Sequence, residues 1–392
     1  MDIRPVQYRD LEAIEQLVTE AFTAENPSAS MDIGRHLPQI RQWFGLLKVL
    51  SWFPNPYQNL LCAFVAQQGD RLRGMIQVSP FNRTRSTWRV DRVAVDPAAG
   101  SHDTGSRLLR YCLEAIWEAR TWLLEVEAND KTALGLYRQN GFQPLAQMTY
   151  WGIEPELLQE LAGREPDLPN LLPVSNADAQ LLYQLDTASM PPLVRQVFDR
   201  HIKDFKTSLL ESLLAALNQW IAQTETVSGY VFETQRKAAI GYFQVRLSRD
   251  GTHSHEAELT VHPAYTWLYP ELLSQMARIT REFPEQSLRL VSADYQPERE
   301  EYLAQLGAEP LETTLLMSRS VWHKLREAKP TALEGLQLSE VLGGLQPARK
   351  PVPGRMTWLQ QATRRASKRD SRPSGDRGNG YSPNENGHPG DR

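Results

Sequence analysis

Apolar and polar positions along this chain follow two rhythms, a period of two and a period near 3.6, and they take turns. Ile3–Val6 reads as a first strand, and from Asp10 to Phe22 the residues Leu11, Ile14, Leu17, Val18 and Ala21 fall at helical spacing. Asp10 stands where a side-chain oxygen can cap that helix. Strands are predicted at Cys62–Gln67, Gly74–Val78 and Trp88–Val95. A helix follows from about Gly105 to Arg120, with Leu108, Leu109, Cys112, Leu113 and Ile116 on its buried face. Then come a strand at Trp122–Ala128, a helix at Lys131–Asn140 and a last strand near Gln147–Trp151. Strands and helices that alternate around one mixed, mostly antiparallel sheet make an α/β fold.

The pattern then repeats. Val93-Ala94-Val95-Asp96-Pro97-Ala98 is echoed by Leu259-Thr260-Val261-His262-Pro263-Ala264, and Gly141 and Pro144 are echoed by Gly307 and Pro310, all at an offset of 166 residues. Several echoes in one register indicate two copies of one domain. The expected divisions are a first domain over residues 1–153, a linker over 154–170, a second copy over 171–327 and a tail over 328–392. Pro155, Gly163, Pro166 and Pro169 interrupt helical pattern in the linker. From Arg349 to Arg392 the chain is rich in Pro, Gly, Ser, Asn and Arg, too polar to offset the entropy of ordering, and reads as disordered. Within it, residues 359–369 carry the makings of a short basic helix.

Composition narrows the function classes. A length of 392 residues fits two domains and an extension, and 41% hydrophobic with 23% charged residues is a globular balance. Two cysteines, Cys62 and Cys112, cannot build a disulfide framework, which points to a reducing cytoplasm. No basic-then-apolar leader opens the chain, and no run of about 18 apolar residues spans a membrane. From Pro347 onward there are 10 Lys and Arg against 4 Asp and Glu, which leaves 33 basic and 43 acidic residues in the body. An acidic body suits a cationic amine better than nucleic acid.

Two regions carry chemistry. The strand ending at Val95 feeds the loop Ala98-Ala99-Gly100-Ser101-His102-Asp103-Thr104, and Gly105-Ser106 opens a helix. Free backbone N–H groups at such a helix start suit a diphosphate, although an ordinary strand–helix connection looks much the same. The second region is Leu123-Leu124-Glu125-Val126-Glu127-Ala128-Asn129-Asp130-Lys131-Thr132-Ala133-Leu134-Gly135-Leu136-Tyr137-Arg138-Gln139-Asn140-Gly141-Phe142. Glu125 and Glu127 project to one strand face, opposite Leu124 and Val126. Ala133 and Leu136 share a helix face, and Gly141 ends the helix so that Phe142 folds back into the core.

This second region resembles the GNAT acyltransferases, in which a strand precedes Asn-x-x-Ala-x-x-Leu-Tyr on a helix that ends at Gly-Phe. The resemblance covers roughly residues 1–150 and implies acetyl-CoA as co-substrate. It assigns the diphosphate to Gly100, Ser101, His102, Asp103, Thr104, Gly105 and Ser106, and the pantetheine arm to the backbone of Val93, Ala94 and Val95. Asn129 and Asp130 fall at the family's Asn position. Tyr137 matches the tyrosine that protonates the departing thiolate and lines the cofactor site. Glu125, in a Leu-Glu-Val context like that of ribosomal-protein alanine N-acetyltransferases, matches the base that deprotonates the amine. Either Glu125 or Glu127 serves on geometry alone, directly or through a water. A packed tyrosine and a solvated carboxylate are the plain alternatives.

Two departures bear on cofactor affinity. Against the usual Gln/Arg-x-x-Gly-x-Gly/Ala, the first position is Gly100 and the middle glycine is Asp103. A carboxylate at about 6 Å from a diphosphate charge costs roughly 1–3 kcal/mol, with His102, Arg107 and Arg110 available to offset it. The second copy departs further. Glu125 maps to Val291, Tyr137 to Leu303, Asn129 to Tyr295 and Asp130 to Gln296, while Tyr265-Thr266-Trp267-Leu268-Tyr269-Pro270 fills the loop with bulk. Residues 171–327 are therefore expected not to bind acetyl-CoA and to shape the acceptor cleft of the first copy.

Between Ile33 and Gly69 no acidic residue occurs, while Trp43, Phe44, Trp52 and Phe53 accompany Arg35, Arg41 and Lys48. This stretch suits packing against the second copy, a lid, a dimer contact or an interfacial helix. Eight scattered histidines give no metal site, and neither a Gly-x-Ser-x-Gly nor a Walker motif is present. Two readings follow: an acetyl-CoA-dependent N-acetyltransferase acting on an amine-bearing small molecule or peptide, or a non-catalytic scaffold on a degenerate acyltransferase fold. Retention of both Glu125 and Tyr137 favours the enzyme. The pattern of residues does not fix the acceptor or the oligomeric state.

Overall fold

The computed structural model describes residues 1–23, 62–69, 71–96, 101–207, 219 and 222–321. Most of the aromatic 33–69 stretch, Gly100 and the 328–392 tail lie outside the described residues, as do the side chains of Ser101 and His102. The first half runs β1 (Asp2–Pro5), α1 (Leu11–Thr23), β2 (Ala63–Gln68), β3 (Arg71–Pro80), β4 (Thr87–Val95), α2 (Ser101–Ala115), β5 (Thr121–Glu127), α3 (Lys131–Gln139) and β6 (Gln143–Ile153). The second half begins with α4 (Pro155–Ala162), β7 (Leu171–Pro173), α5 (Ala179–Ser189) and α6 (Pro192–Phe198). It continues with β8 (Thr224–Glu233), β9 (Ala238–Ser248), β10 (His255–Val261), α7 (Leu268–Thr280), β11 (Leu288–Ala293), α8 (Pro297–Leu306) and β12 (Glu309–Ser320).

Local sequence explains the elements that frame the site. In β5, Trp122, Leu124 and Val126 alternate into one core. On α2, Leu108, Leu109, Cys112, Leu113 and Ile116 line the inner face of that core. Asp130 caps α3 by accepting from the N–H groups of Thr132 and Ala133 at 3.0 and 2.9 Å. Gly141 leaves the helix at φ 81°, and Phe142 returns fully buried.

The sheet joins what the repeat divides. Its order is β1-β2-β3-β4-β5-β12-β6-β11-β10-β9-β8-β7. The last strand of each half has crossed over: β12 lies between β5 and β6, and β6 lies between β12 and β11. Both crossed strands pair antiparallel with each neighbour, whereas β4–β5 and β10–β11 are parallel pairs. The cores cross over too. Trp151 and Ile153 from β6 belong to the core of the second half, and Met317 from β12 belongs to that of the first. Met1–Leu325 accordingly forms one compact unit. Exchange of an equivalent element costs little, because each strand finds the partner type its copy would have supplied.

Two expectations need correction. The helix predicted from Gly105 to Arg120 runs from Ser101 to Ala115. Its C-terminal extension fails because the amides of Arg120 and Thr121 instead bond to the Ser86 carbonyl at 2.8 and 3.0 Å. Gly105 therefore sits in the second turn and does not open the helix. A Cβ there would lie 2.9 Å from Leu136 Cδ2, so the glycine lets α2 and α3 approach. Gly105→Val is expected to cost about 1–3 kcal/mol by overpacking, read as a lower melting temperature, and Leu136→Ala should return part of it in the double variant. An unchanged melting curve for Gly105→Val would refute this account. The second correction concerns residues 154–170. Pro155 starts α4 in the first turn, where a proline is tolerated, and Leu158, Leu161 and Ala162 bury in the second core. Among the described residues, no helix is long and apolar enough to cross a membrane.

Candidate functional site

Parallel pairing between β4 and β5 ends at Val90 and Leu124, and the two strands part beyond it. On its other side β4 stays paired to β3 through Val93, Ala94 and Val95. Among the described residues, the edge of β4 that faces β5 is therefore left with unpaired backbone groups. The α2 helix starts next to this opening, and its first turn, Ser101 to Thr104, carries the N–H groups that have no acceptor within the helix itself. Thr104 is buried, and its hydroxyl has no hydrogen-bond partner among the described residues. Alongside, a cavity of about 620 Å³ is lined by Asp103, Ser106, Arg107, Arg110 and Gln139. The Asp103 carboxylate pairs with Arg107 at 2.9 Å, so its charge is partly neutralised locally. Arg319 from β12 donates to the Asn140 carbonyl, and burial and the charge of Arg110 pull its guanidinium pKa down.

The second half shows what fills such an opening when nothing else does. There β10 and β11 pair only over His255–Ala257 and Leu288–Leu290. Beyond, the buried Arg299 of α8 donates to the carbonyl of Val291 at 2.8 Å and to that of Leu259, bridging the two strands. Its guanidinium lies 5.8 Å from the Tyr269 ring, which stacks on Tyr302. Burial lowers the Arg299 pKa. At the 166-residue offset, Leu259, Val291 and Arg299 correspond to Val93, Glu125 and Ala133. Where the second half has a guanidinium, the first has a methyl group, too short to bridge its strands.

At the inner end of the opening, Glu125 stands exposed on β5. Its Oε1 accepts the hydroxyl of Tyr150 on β6 at 2.7 Å and that of Thr314 on β12. One of these partners comes from each half. Burial, then Glu125, pushes the Tyr150 phenol up. Glu127 lies opposite Thr314 in register, and Glu312 lies opposite Tyr150. Burial, then Glu127 and Glu125, raises the Glu312 carboxyl. Three carboxylates from two strands make this patch attractive to a cation. Tyr137, on α3, is nearly buried against Phe142, with ring centroids 6.0 Å apart. Burial, with a smaller push from Asp130, lifts its phenol to about 12.

The structure thus brings Val93, Ala94, Val95, Glu125 and the α2 start around one opening. Asp130 spends its carboxylate on the α3 cap, Asn129 is exposed, and Ser106 accepts a 2.9 Å hydrogen bond from Asn140. Sequence reasoning missed Tyr150 and Thr314. Tyr150 falls in the predicted last strand without a distinguishing pattern, and nothing local links Thr314 to Glu125 across 189 positions.

Residues 59–144 match the model of the acetyltransferase (GNAT) domain family. Among solved structures, the chain resembles a tandem GNAT protein from the clavulanic acid biosynthesis pathway at 16% identity and TM-score 0.51, covering 81% of this chain and 98% of that one. It also resembles a GCN5-related N-acetyltransferase from Sphaerobacter thermophilus at 14% identity and TM-score 0.50, covering 81% and 95%. At such identities the likeness concerns the fold. No curated protein matches.

Proposed function

We propose that this chain, a member of the GNAT superfamily that carries its acetyltransferase domain in the first half, is an acetyl-CoA-dependent N-acetyltransferase with one catalytic centre. The observation that carries the reading is the opening beside Ala133 and Glu125, set against the same opening closed by Arg299 in the second half. Acetyl-CoA supplies the activated acetyl group. The first turn of α2, with Arg107 and Arg110, suits its diphosphate, and the free edge of Val93–Val95 suits the pantetheine arm as an added strand.

The chain's own groups divide the proton work. Glu125 takes the proton from the acceptor ammonium, directly or through a water, while Tyr150 and Thr314 hold the carboxylate in place. Tyr137 keeps its proton at Oη, because burial sets its pKa at about 12, and gives it to the leaving sulfur. Direct transfer accords with the thiols: burial raises the Cys62 pKa to about 11 and pushes Cys112 higher still, so neither is an activated nucleophile. The acidic patch of Glu125, Glu127 and Glu312 favours an amine acceptor, a small molecule or a peptide. The cytoplasm is the compartment that suits two unpaired cysteines.

Calorimetry of acetyl-CoA on the full chain tests the reading. One molecule per chain is expected. Two per chain would overturn the account of the second half, and none would leave a scaffold. The halves share strands, so the intact chain is the proper sample.

A further inference from the structure

The second half has closed the opening beside α8 but keeps a hollow on the opposite face of its sheet. A cavity of about 910 Å³ is lined by α5, by the inner strands β8 to β10 and by the β3–β4 turn of the first half. That is the size of a site for a small organic molecule. Its floor is polar in ordered rows. Ser228, Gln244 and Glu258 lie opposite one another across three strands, and Tyr242 and Thr260 form the next row. On the same strands Phe243, Val245 and Leu259 face the core. A helix packed on a sheet normally meets apolar residues, so packing alone does not account for these rows.

Charge accounting identifies what the hollow lacks. Asp204 accepts the backbone N–H groups of Arg83 and His201 at 2.7 and 2.6 Å. The Arg83 guanidinium donates to the Lys206 carbonyl at 2.5 Å, and Arg85 lies 3.8 Å from Glu118. Arg200 pairs with Asp186 at 2.9 Å and lies over the rings of Phe81 and Phe198 at 5.3 and 5.5 Å. Every cation among the described residues of the lining is thus engaged. Glu258 is exposed to the cavity and has no ion pair among the described residues. Tyr242 beside it donates to Gln244 and not to the carboxylate. Burial and Glu258 together hold the Tyr242 phenol up. Leu182, Leu185 and Phe205 also line the cavity and give it an apolar side.

We infer that this cavity is a ligand site for a small organic amine, with its ammonium against Glu258 and its apolar body against Leu182, Leu185 and Phe205. An organic anion is disfavoured, because it would meet the one uncompensated charge of the floor with the same sign. The inference does not rest on acetyl transfer, since none of these residues belongs to the Glu125 site.

The test is calorimetry on the full chain with 2-phenylethylamine and hexylamine, and with 3-phenylpropionate as the reversed-charge counterpart. Saturable one-to-one binding of at least one amine and none of the acid is expected. Glu258→Gln should weaken amine binding about tenfold or more, equivalent to about 1.4 kcal/mol, with the melting temperature unchanged. Glu125→Gln should leave it intact. The proposal falls if neither amine saturates, if the acid binds as well, or if Glu258→Gln keeps full affinity. Loss of binding in Glu125→Gln would also overturn it, and would move the amine to the acetylation site, so the two readings fail separately.

Discussion

Replacing Arg299 by alanine is expected to cost about 2–4 kcal/mol of stability, from two buried carbonyls left without a donor and a cavity left behind. For a unit of this size that amounts to a fall in melting temperature on the order of 3–6 °C. Arg299 reaches the carbonyls of Leu259 and Val291 at once, with Tyr269 beneath it. Arg299→Lys should recover only part of the loss, because one ammonium on a flexible stem replaces a fork fixed between two strands. The gain is bounded on the other side: removing a buried charge also removes its desolvation cost, which is why the estimate stays below that for an ion pair broken in a core. The sheet is continuous through β11, β6, β12 and β5. Melting should therefore remain a single transition that shifts as a whole. A second, earlier transition confined to part of the molecule, or no shift at all, would show that Arg299 is not a strut. Acetyl-CoA should still bind once per chain, since Val291 and Leu303 stand where the first half has Glu125 and Tyr137, and the Tyr265–Trp267 bulk remains.

Periodicity carried the reading of this fold wherever a side chain's fate depends on its near neighbours. The order of strands and helices, the stop at Gly141 and the return of Phe142 all follow from local pattern. Long-range pairing does not. Strands β6 and β12 occupy equivalent places in two copies and have similar alternation, so either could lie beside β5, and the choice is made by the path of the chain between them. Thr314 reaches Glu125 only through that choice. Gly105 was legible as a required glycine, but the room its missing Cβ leaves for Leu136 was not, because that contact joins two helices. Arg299 was legible in principle. An arginine at the repeat position of Ala133, on a helix face turned to the sheet, signals a buried cation that must find acceptors, and the two nearest are the carbonyls of the parted strands.

Glu125→Gln should lower kcat/KM for the amine by about 10²–10⁴, the usual worth of a positioned general base. The amide oxygen can still accept from both Tyr150 and Thr314, so position is preserved and the loss reads as chemistry. Acetyl-CoA affinity should not change. With the base gone, the remaining rate should climb with pH as the acceptor amine sheds its own proton. Glu127→Gln, one strand position on along the same face, should change turnover far less. Tyr137→Phe removes the other proton site and should cost roughly 10- to 1000-fold in kcat with little effect on the cofactor. Because burial holds that phenol at about 12, it stays protonated from pH 5 to 10. Any alkaline fall in rate below about pH 11 must come from another group, and should persist at the same pH in Tyr137→Phe. If Glu125→Gln kept its turnover while Glu127→Gln lost it, the base would be the neighbour. If both kept it, the carboxylates would serve only to attract the amine, and deprotonation would be left to water.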